Sequence, residues 1–396
     1  MNNTNVMEFV KKYTMILALV AVIVFFSIST GGKLLLPQNI ANLIAQNAYV
    51  FVLATGMLLT ILTGGNIDLS VGSVVCFVGA IGAVAMQSWG MGAIPTAVIV
   101  LIIGLLIGAF QAYWIAFVRV PPFIVTLAGM LMFRGLSNVV LEGKTVSLSD
   151  KFFVKVFGGG ADCYIPDIKI DINMFGVQYI NLFCLLLGVA GASVYAFIVF
   201  NGRASKKKKG YAVPKFRSDL IKVIVIGFVV IALAFMLSRH KGIPTVLVWV
   251  LLVVFAYGYL TSKTTTGRYF YAVGGNEKAT KLSGINTNRI YFIAYANMGF
   301  LAGVAGLLTI ARMVSAQPTA GQNYEMDAIG SCFIGGASAY GGTGTVPGVI
   351  IGATLMGIIN QGMSIMGVDA NWQKVVKGAV LLVAVIFDVV SKRQND

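Results

Sequence analysis

Few residues in this chain could do chemistry, and their spacing does not suggest catalysis. The acids near apolar stretches are Asp68, Glu325, Asp327, Asp369 and Asp388. Inside a helical bundle such carboxylates could carry protons or cations. Most of them stand at the ends of apolar runs instead. His240, in "SRHKG", is the sole histidine; one loop histidine completes neither a triad nor a metal set. Cys76, Cys184 and Cys332 fall inside apolar runs, where cysteine acts as a small hydrophobe. Cys163 stands alone in a polar loop, and with no CxxC pair there is no disulfide framework. "FIGGASAYGGTGTVPGVIIGA", Phe333 to Ala353, superficially resembles a phosphate loop but has no Lys-Ser/Thr after its glycines. The expectation is a chain that is no enzyme and needs no cofactor or metal.

The elements that would position these residues are membrane spans. Of 396 residues, 58% are hydrophobic and 11% charged, with mean hydropathy +0.86. A soluble domain carries roughly 25% charged residues. Apolar runs fall near 13–30, 41–62, 69–88, 93–117, 122–140, 178–200, 220–238, 244–261, 290–311, 326–339, 346–366 and 372–390, most of them long enough to cross a bilayer. The run at 326–339 is short and glycine-containing, which suits a broken or re-entrant piece. The fold class expected is all-α: one polytopic transmembrane domain over 1–396, with about ten to twelve segments.

The net charge of +15 is spread over short loops, as the positive-inside bias expects, and not gathered for nucleic acid. With a cytoplasmic N-terminus, the crossings put Arg119, the basic loop 201–219 with "KKKK", the loop 262–289 and the tail "SKRQND" on the cytoplasmic side. The loop 141–177, with Glu142, Asp150, Asp162, Asp167, Asp171 and "FGGGADCYIP", falls outside. Trp89 and Trp372 sit at run ends, as interfacial aromatics do.

"LTGGNIDLSVGSVV", Leu62 to Val75, interrupts this apolar region. Gly64 and Gly65 can end a helix, and Asp68 occupies an expected N-cap position before the next run. The stretch is either a cytoplasmic turn with a cap or a break lining a pathway, since non-helical backbone at membrane depth must be buried or face a wet cavity. With "FIGGASAYGGTG" it places one break in each half, which suggests a two-repeat architecture. Glycines four apart (Gly104 and Gly108, Gly299 and Gly303, Gly348 and Gly352) suit close helix packing within the fold or a dimer seam. The loop "TTTGRYFYAVGGNEKATKLSGINTNRI" has Ala279, Leu282 and Ile285 at roughly helical spacing. It reads either as a short interfacial helix offered to a soluble partner or as a plain solvated loop.

"GGNIDLSVGSVV", "PPFIVTLAGMLMFRGL", "GRYFYAVGGNEKATKLSGI" and "FIGGASAYGGTGTVPGVIIGATLMGIINQGMS" resemble the permease subunits of bacterial ABC importers for simple sugars. The long insertion from about 141 to 245 is similar to that of the xylose and multiple-monosaccharide permeases. The resemblance implies a multi-pass subunit of the bacterial plasma (inner) membrane with both termini cytoplasmic. It further implies a homodimer, a separate ATPase subunit that often fuses two nucleotide domains, and an extracytoplasmic sugar-binding protein. It places Gly267, Ala272, Gly274, Asn276, Ala279 and Gly284 in the loop that couples to the ATPase. For the pathway, Asn66, Asp68, Asn360 and Gln361 carry groups suited to sugar hydroxyls, although capping and helix–helix hydrogen bonding account for them as well. An importer of another polar solute, such as a nucleoside or autoinducer, and a stand-alone secondary carrier are the alternatives.

Overall fold

The computed structural model describes residues 3–158, 163–165, 169–174, 177–213 and 215–393, with the backbone alone for 3–13, 169–174, 177–179, 387 and 391–393. Parts of the expected outer loop, including Asp162 and Asp167, and the last residues of the tail lie outside the described residues.

The chain is built from helices. In order they are α1 (Asn3–Ser29), α2 (Pro37–Gln46), α3 (Ala48–Leu62), α4 (Val71–Gln87), α5 (Ala93–Tyr113), α6 (Pro122–Leu141), α7 (Lys151–Phe157), α8 (Leu182–Lys208), α9 (Phe216–Ser238) and α10 (Thr245–Lys263). They continue as α11 (Thr265–Gly275), α12 (Glu277–Leu282), α13 (Thr287–Met313), α14 (Tyr324–Ile334), α15 (Val346–Ile365) and α16 (Ala370–Arg393). The strands are short. β1 (Val146–Ser147) pairs antiparallel with β4 (Ser315–Ala316), and β2 (Lys169–Met174) with β3 (Val177–Asn181).

Every apolar run of the sequence has become a helix. Among the described residues seven helices are long and apolar enough to cross a membrane, or eight when α2 and α3, interrupted at Asn47, count as one span. α4 and the described part of α1 are apolar but shorter, and α14 has only 11 residues. The run expected to be broken or re-entrant is therefore a helix too short to cross a bilayer.

The residues divide into two compact units, one of 1–34, 43–163 and 246–396, the other of 35–42 and 164–245. In the second unit α8 packs along α9, and Arg203 pairs with Asp219 at 2.6 Å. His240 sits edge-on to Tyr164 at 5.9 Å; burial and then neighbouring Lys241 hold its imidazole below the ordinary histidine range.

In the first unit α3 and α13 form the centre. Every residue of α3 except Tyr49 is buried, and α13 is buried around its whole circumference. A helix apolar on all sides belongs in such a place. The buried threonines of α3 satisfy themselves: Thr55 donates to the Phe51 carbonyl at 2.7 Å and Thr60 to that of Met57 at 2.8 Å.

The spaced glycines are used inside the chain. A Cβ at Gly104 would lie 2.6 Å from the Gly299 carbonyl oxygen, and one at Gly108 the same distance from that of Tyr295, so α5 and α13 meet backbone to backbone. Gly348 and Gly352 play the same part for α15 against Ser331 and Gly335 at the end of α14. In lipid, where burial of apolar groups gives helices little reason to associate, such contact is what holds them.

Candidate functional site

The segment after α10 contains two helices rather than one. Thr264 caps α11, its hydroxyl accepting from the Gly267 nitrogen at 3.0 Å. Asn276, in an extended conformation, ends α11 and caps α12 by accepting from the Ala279 nitrogen at 2.9 Å. The Ala272 carbonyl takes both the Asn276 nitrogen at 3.0 Å and the Thr280 hydroxyl at 2.8 Å, closing the corner. Gly284, at φ +84, stops α12. Gly267 lies flat against the end of α10, where a Cβ would fall 2.8 Å from Thr261 Cα. Leu282 stands 89% exposed between α12's lysines and the following loop.

Gly274 does not serve a turn. It sits in helical conformation where three backbones touch. A Cβ on it would overlap the Leu62 carbonyl oxygen and come within 2.5 Å of the Gly342 nitrogen. The Gly342 nitrogen itself donates to the Leu62 carbonyl at 3.1 Å. A Cβ on Gly65 would overlap the Ala339 carbonyl, and one on Gly341 would approach the Gly65 nitrogen to 2.8 Å. Both loops have left-handed glycines here, at φ +75 for Gly65 and +84 for Gly341. Three Gly-Gly pairs, 64–65, 274–275 and 341–342, thus interlock. The Tyr271 hydroxyl adds a bond to the Gly344 carbonyl at 2.9 Å. Both interruptions noticed in the sequence are joined here to the segment expected to couple.

A charged clamp borders this junction. Arg119 pairs with Glu277 at 2.8 Å, donates to Thr287 at 3.2 Å and to Asn288, and lies over the Tyr291 ring at 5.1 Å. Glu277 also accepts from the Tyr291 hydroxyl at 3.1 Å. Burial pushes the Glu277 carboxyl up, but the bonds from Arg119, Tyr291 and Thr287 outweigh it and hold it below the ordinary glutamate range. In the sequence Arg119 is a lone cation between apolar runs, which marks the side of the membrane but not the clamp.

The four pathway candidates fall among two sets of partners. Asn66 turns back on Thr63, its amide 3.3 Å from that carbonyl. Asp68 is not the helix cap: Ser70 holds that position, and Asp68, two residues earlier, accepts from the Ser70 nitrogen at 2.8 Å and its hydroxyl at 2.7 Å. A short turn precedes α4, so the carboxylate closes the turn instead of the helix end. Ser70 in turn meets the Gln111 amide at 3.1 Å. Asn360 and Gln361, on α15, lie elsewhere: Asn360 donates to Asn47 at 3.3 Å. Among the described residues no cluster of His, Cys, Asp and Glu is arranged to hold a metal.

Residues 39–385 match the family described as the permease component of the branched-chain amino acid transport system. The chain belongs to this permease family. The permease is 38% identical over 385 residues to the xylose transport system permease protein XylH of Haemophilus influenzae, covering 96% of this chain and 97% of that protein. It is 34% identical to XylH of Escherichia coli, covering 97% and 93%. To the ribose import permease protein RbsC of Escherichia coli it is 34% identical over 352 residues, covering 89% and 85%. No solved structure matches the permease. It is a multi-pass membrane protein and a transport subunit.

Proposed function

We propose that the chain is the permease subunit of an ATP-driven ABC importer for monosaccharides, xylose foremost. Two copies would form the translocation pathway. A separate ATPase would bind from the cytoplasm on α11 and α12, and an extracytoplasmic binding protein would deliver the sugar. The xylose relatives, alike over nearly their whole length, support the substrate class.

The observation that carries the coupling is the seat of Gly274 on the Leu62 carbonyl. Any displacement of α11 is transmitted by backbone contact to the ends of both interrupted segments, because no compressible side chain lies between them. Leu282, apolar and exposed beside Lys278 and Lys281, suits an anchor seated in a pocket on the ATPase. The charge bias of the loops supports cytoplasmic N- and C-termini.

The test is reconstitution. The subunit alone in liposomes should accumulate no xylose; with its ATPase and the loaded binding protein it should do so when ATP is supplied. The family description makes a branched-chain amino acid the second reading. ATP-dependent uptake of leucine in place of xylose would establish it, and uptake by the subunit alone on a proton or sodium gradient would indicate a secondary carrier.

A further inference from the structure

The ends of α3 and α13 remote from the glycine junction close on a second polar cluster. At about 1.5 Å per residue, α3 carries Tyr49 roughly 20 Å from Leu62. Tyr49 is the single residue of α3 that is not buried. Its ring stacks on that of Tyr324, at the start of α14, with centroids 3.5 Å apart and an interplanar angle of 11°. Its hydroxyl donates to Asp327 at 2.6 Å, and Asp327, 1% exposed, is held by Lys377 of α16 at 3.0 Å. A charge pair inside the protein therefore fixes a two-ring platform. A buried ion pair is weak support for stability, and an ionisable residue inside a helical bundle points to a functional site.

Beside the platform opens a cleft with about 250 Å³ of empty space, counting its open mouth, lined among others by Gln46, Thr309, Arg312 and Met313. The Arg312 Nε is buried and has no hydrogen-bond partner. An unmet donor on a cation is costly and ready for an acceptor. The acids Asp327 and Glu325 are each met by a cation of their own, Lys377 for the first and Arg134 for the second, which leaves Arg312 to the cleft. A site of aromatic faces, an amide, a hydroxyl and a guanidinium fork suits a polyhydroxylated ring, with C–H faces on the aromatics and hydroxyls on the donors.

We propose that this cleft is the permease's own substrate stop, where a neutral monosaccharide released by the binding protein rests against Tyr49 and Tyr324 and is held by Arg312 and Gln46. The proposal rests on the importer reading above. It places the stop at the end of the unit away from the coupling helices, which is the delivery side of an importer. As it stands the cleft has room only for a water or two, so a pyranose requires it to open. Met313, 40% exposed at its rim, is unbranched and flexible enough to swing aside.

The test uses the assembled complex of permease, ATPase and binding protein in liposomes. Met313→Cys is introduced into a permease whose other cysteines have been replaced, and labelling by a thiol reagent is followed. Xylose should slow the labelling and leucine at equal concentration should not. Adding Arg312→Gln should abolish the protection and lower the maximal uptake rate about ten-fold, the scale of one hydrogen bond to a charged donor. Arg312→Lys, which keeps the charge, should retain part of both. Unslowed labelling in a complex that still imports xylose overturns the site while leaving the importer reading intact. Protection that survives Arg312→Gln overturns the role of Arg312, and protection by leucine overturns the ligand class. A wild-type complex that imports no monosaccharide overturns the importer reading itself.

Discussion

The Gly342 nitrogen and the Leu62 carbonyl, 280 residues apart in sequence, share a 3.1 Å hydrogen bond directly beneath Gly274. Forcing a side chain into that contact should cost about 1–3 kcal/mol of local packing. Gly274→Val should insert and assemble, yet lose sugar-stimulated ATP hydrolysis and uptake together. Gly275→Ala is the matched control, because a Cβ there meets nothing within 4 Å. Lys207→Ala should be equally silent. Equal losses from Gly274→Val and Gly275→Ala would dissolve the argument from backbone contact; assay of both variants beside the wild type decides it.

Glu277 gives a pH prediction. Its carboxyl is held below the ordinary range, so the stability it contributes is present above the unfolded-state pKa of about 4.3 and disappears only as pH falls through the lower folded value. The melting temperature of wild-type permease minus that of Glu277→Gln should stay level from pH 8 to pH 5 and shrink below that. A difference that changes between pH 6 and pH 8 would show that another group titrates.

Gly299 is pressed against α5, where a Cβ would lie 2.5 Å from Gly108 Cα. Gly299→Val should lower the thermal stability of the detergent-solubilised subunit by about 1–3 kcal/mol or prevent its accumulation. If the variant stays folded and only loses a dimer, the glycine seam lies between subunits instead.

Orientation is tested by labelling. Cysteines at Lys278 in α12 and Lys151 at the start of α7, both exposed, should react with an impermeant reagent from the inner and outer faces respectively. External labelling of Lys278→Cys in intact cells would reverse the topology and remove α12 from the ATPase.

The helices were legible because twelve apolar runs need no long-range information, and the weakness of α14 was visible in its length. The corner at Asn276 is written in "GGNEKAT", where an asparagine precedes a glutamate and good helix formers, but the roughly helical spacing of Ala279, Leu282 and Ile285 lies beyond it and points to α12 alone, so α11 goes unread. The function of Gly274 was hidden for a different reason. Helical propensity sees a poor former, and only the approach of Leu62 and Gly342 shows why no Cβ fits. Tyr49, Tyr324 and Arg312 leave no local trace at all, since each looks like an ordinary residue near the end of its own helix. The candidates Asn66 and Asp68 were chosen for polarity, and their nearest partners turned out to be their own neighbours.

The ion pair of Lys377 and Asp327 also bears on how the chain is made. An unpaired lysine at the middle of a membrane helix costs up to about 3 kcal/mol to insert. Lys377 belongs to α16, which leaves the ribosome after α14. Its counter-ion, on α14, is already in the bilayer when α16 arrives, so α16 can be drawn into place by a partner that waits for it. Reversing the order of synthesis would strand the lysine first, in the bilayer and without an anion.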